Sequence, residues 1–288
     1  MKKPAPAPTK APTKSGLHAY DELTLRVVSS AVMAPLAVGI AWLGGWPFVV
    51  FWTIAACGIQ WEWRKIIADR AARLGGIGEC ALALAGANIL FGRPGTAVLV
   101  IVMGVGFEAV LASTDRHRIW AMAGVLYAGA LLMSCVLLRA DKSYGFVAII
   151  LLFAIAWSTD IVAYFVGRLV GGPKLWERVS PKKTWSGALG GTGAAIIAGL
   201  AVAHYAHLGN SLAVAGLALL LSVASQAGDL FESAFKRRFG VKDASHVIPG
   251  HGGIMDRLDG FLAAAALAAL IGIARGGLDA PARGLLAW

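Results

Sequence analysis

Apolar residues along this chain fall into long blocks separated by short polar stretches. Nine blocks stand out: 27–43, 46–61, 78–92, 95–112, 119–138, 145–167, 187–206, 211–230 and 257–274. A helix that crosses a bilayer needs about 20 apolar residues, with roughly 17 as a lower bound. The first three blocks are short. The Gly44-Gly45 pair and Pro47 favour a turn between the first two, so 27–61 could form a hairpin that dips partway. The pattern predicts an all-α, polytopic integral membrane protein of about nine transmembrane helices. Residues 1–26 break the pattern, being rich in Pro, Ala and Lys with no apolar run. They are expected to form a disordered basic tail, and not a cleavable signal peptide. Residues 27–288 are expected to form a single transmembrane domain.

Composition agrees. The chain is 58% hydrophobic and 15% charged, whereas a soluble domain carries roughly 25% charged residues. A net charge of +10 in a soluble protein would suggest nucleic acid. Here the positive-inside bias of membrane proteins accounts for it, and no nucleic-acid partner is expected. With the N-terminus in the cytoplasm, 21 of the 26 Lys and Arg residues fall on the inside. The other five, Arg93, Arg139, Lys142, Arg275 and Arg283, fall outside. The C-terminus is then outside, and the polar segments 168–186 and 231–256 are both cytoplasmic. Cys57, Cys80 and Cys135 lie in apolar stretches without CxxC spacing and read as small buried hydrophobes.

Acidic residues within spans are costly and mark function by default. Asp160 sits in the sixth block, Asp229 at the end of the eighth, and Asp256 and Asp259 open the ninth. The last two share a helix face near the positive end of the helix dipole. Structural pairing with a neighbouring Arg or Lys is the alternative for each. Glu108 has no motif around it and suits a structural partner or a place near the headgroups.

The run from Ser233 to Asp259 gathers Lys236, Arg237, Arg238, Lys242 and Arg257 beside Asp243, Asp256 and Asp259. Between them, Gly250-His251-Gly252-Gly253 offers bare backbone to an anion and leads into a helix start, a natural phosphate seat. His251 is a candidate ligand, proton carrier or phosphate donor. Ser180-Pro181-Lys182-Lys183-Thr184 forms a second cationic patch flanked by hydroxyls. Both patches suit a site that handles phosphate, with a metal. The Gly187, Gly190, Gly191, Gly193 cluster lacks a preceding strand, so close helix packing explains it better than a dinucleotide site.

These residues resemble the signature of the phosphatidate cytidylyltransferase (CDP-diacylglycerol synthase) family. They are Ser233, Lys236-Arg237, Lys242-Asp243, His251-Gly252-Gly253 and Asp256-Arg257-Leu258-Asp259, within a signature region at 226–260. A second region, 157–191, is similar to the family through Asp160, Ala163-Tyr164, Gly167-Arg168, Lys174-Leu175, Ser180-Pro181, Lys183-Thr184 and Gly187. Ser186 departs from the acidic or amide residue common there. Arg26 and Glu62-Trp63 match more loosely.

The resemblance implies that CTP (or dCTP) and phosphatidic acid give CDP-diacylglycerol and diphosphate, for phospholipid biosynthesis. It implies Mg2+ held by Asp229 and Asp256, with a second cation such as K+. Catalytic roles would fall to Asp229, Asp256, Lys236 and His251. Substrate- or phosphate-binding roles would fall to Asp160, Lys182, Lys183, Thr184, Ser233, Arg237, Lys242, Gly252, Gly253, Arg257 and Asp259. It further implies a multi-pass protein of the bacterial inner membrane among membrane lipids, facing the cytoplasm, with a homodimer as a family-level expectation. The alternatives are another membrane lipid kinase or nucleotidyltransferase, and an ion-coupled transporter using Asp160 and Asp229.

Overall fold

The computed structural model describes residues 16–67, 76–112, 114–245, 247–248 and 252–288, with 16–28, 30 and 116 described by backbone alone. The chain folds into α1 (Gly16–Leu43), α2 (Gly45–Ile67), α3 (Ile77–Leu90), α4 (Pro94–Leu111), α5 (Asp115–Arg139) and α6 (Gly145–Leu169). A hairpin of β1 (Lys174–Trp176) and β2 (Ser180–Thr184) follows. Then come α7 (Trp185–Tyr205), α8 (Ser211–Arg238), α9 (Met255–Gly276) and the short α10 (Pro281–Leu286). Among the described residues, six helices, α4 to α9, are long and apolar enough to cross a membrane. The apolar part of α1 (Ala31–Leu43) and α3 are shorter.

Each predicted apolar block lies on one of α1–α9, but α2 runs on to Ile67, past the predicted end at 61, and three other segments differ. α1 already starts at Gly16, so part of the expected tail is helical; residues 1–15 lie outside the described residues. The segment 168–186, expected as a loop in an all-α protein, carries the antiparallel β1–β2 hairpin. α8 runs to Arg238, past the predicted end at 230, which puts Ser233, Lys236 and Arg237 on helix. Its last turn holds Lys236, Arg237 and Arg238, which suit the negative end of the helix dipole.

Small residues set how closely the helices approach. A Cβ on Gly187 would stand 2.6 Å from the Ala163 carbonyl oxygen, and one on Gly191 2.6 Å from that of Thr159. α6 and α7 therefore meet backbone to backbone, as the glycine cluster predicted. α8 and α9 do the same: a Cβ on Gly228 would lie 2.7 Å from the Asp259 carbonyl oxygen, and one on Gly260 2.6 Å from Ser225 Oγ. Hydroxyls cross-link this half, with Thr159 Oγ1 2.8 Å from Ser222 Oγ and Gln226 Nε2 3.0 Å from Thr192 Oγ1.

The first half packs through aromatics. Trp63 of α2 stacks on Phe235 of α8 with ring centroids 3.8 Å apart, and its Nε1 donates to the Trp120 carbonyl at 2.8 Å. Trp52 stacks on Phe261 of α9 at 5.2 Å. Glu108, the carboxylate without a motif, accepts from the Gly78 amide at the start of α3 (3.1 Å), a structural partnership. Cys135 is buried and Cys57 half-buried, but Cys80 is exposed on α3, against the expectation for all three.

Candidate active site

One large cavity, about 1300 Å3, opens where α6, the hairpin, α7, α8 and the start of α9 converge. The two polar segments, far apart in sequence, thus form walls of the same space. Five carboxylates line the α8–α9 side: Asp229, Glu232, Asp256 and Asp259 on the helices, and Asp243 between them. Asp160 joins them from α6. Arg168, Lys174, Lys182 and Lys183 bring cations from the end of α6 and the hairpin. The cavity therefore has an acidic wall and a basic wall, with Lys236 and Arg257 on the acidic one.

Helical spacing builds the acidic wall. Asp229, Glu232, Ser233 and Lys236 follow one another at i, i+3, i+4 and i+7, so they share a face of α8. Lys236 Nζ sits 2.7 Å from Glu232 Oε2 and 2.6 Å from Asp256 Oδ1, joining α8 to α9 through one ammonium. Ser233 Oγ approaches Asp229 Oδ1 at 3.4 Å, and Lys183 of β2 pairs with Asp229 Oδ2. Sequence reasoning did not single out Glu232, although it lies four residues before Lys236. It is buried, and its Oε1 has no hydrogen-bond partner.

Backbone amides hold Asp256 as well. Its Oδ2 accepts from the Gly253 N–H at 2.7 Å and the Ala244 N–H at 3.0 Å. Gly252 has φ +83, a left-handed conformation that suits glycine, and a Cβ there would meet Asp256 Oδ2 at 2.7 Å. The next two amides, those of Ile254 at the N-cap of α9 and Met255 at its start, donate to Glu62 of α2. The helix start read as a phosphate seat has its amides at 253, 254 and 255 donating to carboxylates.

Eleven of the expected site residues line the cavity: Asp160, Lys182, Lys183, Thr184, Asp229, Ser233, Lys236, Gly252, Asp256, Arg257 and Asp259. Arg237, Lys242 and Gly253 are not among its lining residues, and Arg237 and Lys242 are exposed. His251 lies outside the described residues. Thr184 is buried, and its Oγ1 accepts from the Gly187 amide at 3.1 Å as the N-cap of α7. Ser186 donates to the Gly171 carbonyl and meets Thr184 Oγ1 at 3.0 Å, tying the approach to the hairpin onto α7.

A single small-molecule site typically occupies roughly 300–1,000 Å3, so this cavity suits more than one substrate group. Among the described residues, no group of three or more His, Cys, Asp or Glu side chains is placed to hold a metal alone. Mg2+ is usually held by one or two carboxylates plus substrate oxygens, and Asp229 and Asp256 both present carboxylates to the cavity.

Residues 24–273 match the model of the Cytidylyltransferase family. The chain belongs to that family. This cytidylyltransferase-family chain is 43% identical over 253 residues to the phosphatidate cytidylyltransferase of Brucella abortus biovar 1 (strain 9-941), covering 87% of this chain and 93% of the relative. The Brucella suis biovar 1 (strain 1330) phosphatidate cytidylyltransferase is equally similar. That of Staphylococcus aureus (strain COL) is 44% identical over 122 residues, 42% of this chain and 47% of the relative.

Proposed function

We propose that this chain is a phosphatidate cytidylyltransferase. It joins CTP and phosphatidate to give CDP-diacylglycerol and diphosphate. A phosphate oxygen of the lipid forms a bond to the α-phosphorus of CTP. The bond from that phosphorus to the bridging oxygen breaks, and diphosphate leaves. Such transfers need in-line positioning and charge neutralisation more than covalent help. The observation that carries the reading is the opposed walls of one cavity, acidic on α8–α9 and basic on the hairpin.

Asp229 and Asp256 would hold Mg2+, which supplies charge neutralisation on the diphosphate. Glu232 Oε1, buried and unpartnered, leaves a donor for a second cation such as K+. Lys182, Lys183, Lys236 and Arg257 would bind phosphate oxygens, the two paired lysines exchanging a carboxylate for phosphate. Ser233 and Asp259 would orient these groups, and His251 remains a candidate proton carrier or phosphate donor.

The proposed topology has nine crossings, the N-terminus in the cytoplasm and the C-terminus outside, in the bacterial inner membrane. Contacts between helix ends support the alternation of neighbouring crossings. Glu62 near the end of α2 meets Met255 at the start of α9, the end that also holds the cavity. Arg139, ending α5, donates to the Ala41 carbonyl of α1 at 2.6 Å. The site would then face the compartment that holds CTP.

Purified protein given CTP and Mg2+ tests the acceptor. Diphosphate release is expected with phosphatidate and not with diacylglycerol. Release of CDP with diacylglycerol would make the protein a lipid kinase instead.

A further inference from the structure

Glu62 is fully buried near the cytoplasmic end of α2 and has no assigned part in the site. Its carboxylate reaches across the fold to the loop before α9. Oε1 accepts from Ser245 Oγ at 2.5 Å and from the Ile254 amide at 2.9 Å; Oε2 accepts from the Met255 amide at 2.7 Å. Ile254, at the N-cap of α9, supplies no side-chain cap of its own. The first amides of a helix need acceptors when they are buried. Here Glu62 and Asp256 divide the work: Asp256 takes Gly253 and Ala244, and Glu62 takes Ile254, Met255 and Ser245.

The glycines explain how two carboxylates fit. A Cβ on Gly253 would stand 2.6 Å from Glu62 Oε1, and a Cβ on Gly58 of α2 would stand 2.5 Å from Ile254 Cδ1. Bare backbone at 252–253 thus admits one carboxylate from each side. Trp63, the next residue after Glu62, locks that end of α2 against Phe235 and the Trp120 carbonyl.

We infer that Glu62 is a positioning residue for Asp256: it fixes where α9 begins and so where the metal-binding carboxylate points. The inference rests on the reading of Asp256 as a metal ligand. A misplacement of about 1 Å at such a site can cost ~100-fold in rate.

The test uses full-length protein carrying Glu62→Ala, Glu62→Gln or Gly253→Ala. Hydrogen exchange at the 253–255 amides is measured together with Mn2+ binding in the presence of CTP and with turnover. In Glu62→Ala, exchange at 253–255 rises at least ~10-fold while α5 amides stay protected, which reports an intact fold. Mn2+ binding weakens at least ~10-fold, and kcat falls more than KM for CTP rises. Gly253→Ala shifts the same readouts in the same direction, and Glu62→Gln, which keeps an acceptor oxygen, recovers part of each. Should Glu62→Ala fail to fold, Ser245→Ala, which removes one donor to the same carboxylate, shows the same pattern at smaller amplitude. Unchanged Mn2+ binding in Glu62→Ala, with or without faster exchange, overturns the inference. Wild-type Mn2+ binding in Asp256→Asn instead overturns the metal reading itself, and the inference with it.

Discussion

Lys236 Nζ lies 2.6 Å from Asp256 Oδ1, so the last turns of α8 and the first turn of α9 meet through a lysine and a carboxylate that are both largely buried. Glu232 completes the group from one turn earlier on α8. A buried ammonium between two carboxylates is held by its partners, and removing one member leaves uncompensated charge. Lys236→Met is expected to destabilise the folded protein by about 3–5 kcal/mol. The double variant Lys236→Met with Glu232→Gln should recover part of that loss. Thermal unfolding in detergent measures both; strictly additive effects would show that Glu232 and Lys236 are not coupled.

Asp229 and Asp256 each meet a lysine in the cavity, Lys183 and Lys236. Asp229→Asn and Asp256→Asn should each lower turnover at least ~100-fold, or about 2.7 kcal/mol of barrier. Steady-state kinetics at saturating Mg2+ checks this. Near-wild-type turnover in either variant removes that residue from the proposed metal site.

The α6–α7 contact depends on glycine. Gly191→Leu would drive a side chain into the Thr159 carbonyl and should cost at least about 1–3 kcal/mol of stability. Gly193 is the control, since a Cβ added there would meet nothing within 4 Å. Gly193→Ala should be neutral or stabilise by up to about 1 kcal/mol, because alanine is the better helix former. Thermal unfolding of the two variants separates these outcomes. Equal losses in both would show that the close approach does not matter.

Hydrophobic blocks announced the helices because bilayer length and apolar content are sequence-local. The charged residues of the polar wall were legible as a run from Ser233 to Asp259, but the face that Asp229, Ser233 and Lys236 share on α8 was not. The extension of α8 to Arg238 was not, because its polar last turns are stabilised by Glu232, Lys236 and Asp256 across two helices. The β1–β2 hairpin was missed because its strands are three and five residues long and carry Lys and Pro. Glu62 drew only a loose family match, since its partners lie more than 180 residues away in sequence. The one carboxylate of α2, between Trp61 and Trp63, was the available signal.

The topology is tested at Lys242, which is exposed between α8 and α9. Lys242→Cys, in a chain whose Cys57, Cys80 and Cys135 are replaced by Ala, should react with an impermeant maleimide from the cytoplasmic side. Labelling from the outer side of intact cells would reverse the orientation.

The central claim concerns which phosphorus of CTP is attacked. CTP labelled at the α- or the γ-phosphorus, incubated with phosphatidate, Mg2+ and the purified protein, decides it directly. The α label is predicted to enter the lipid fraction and the γ label to leave as diphosphate. Transfer of the γ label to lipid, or retention of both labels in CTP by folded protein, would contradict the account.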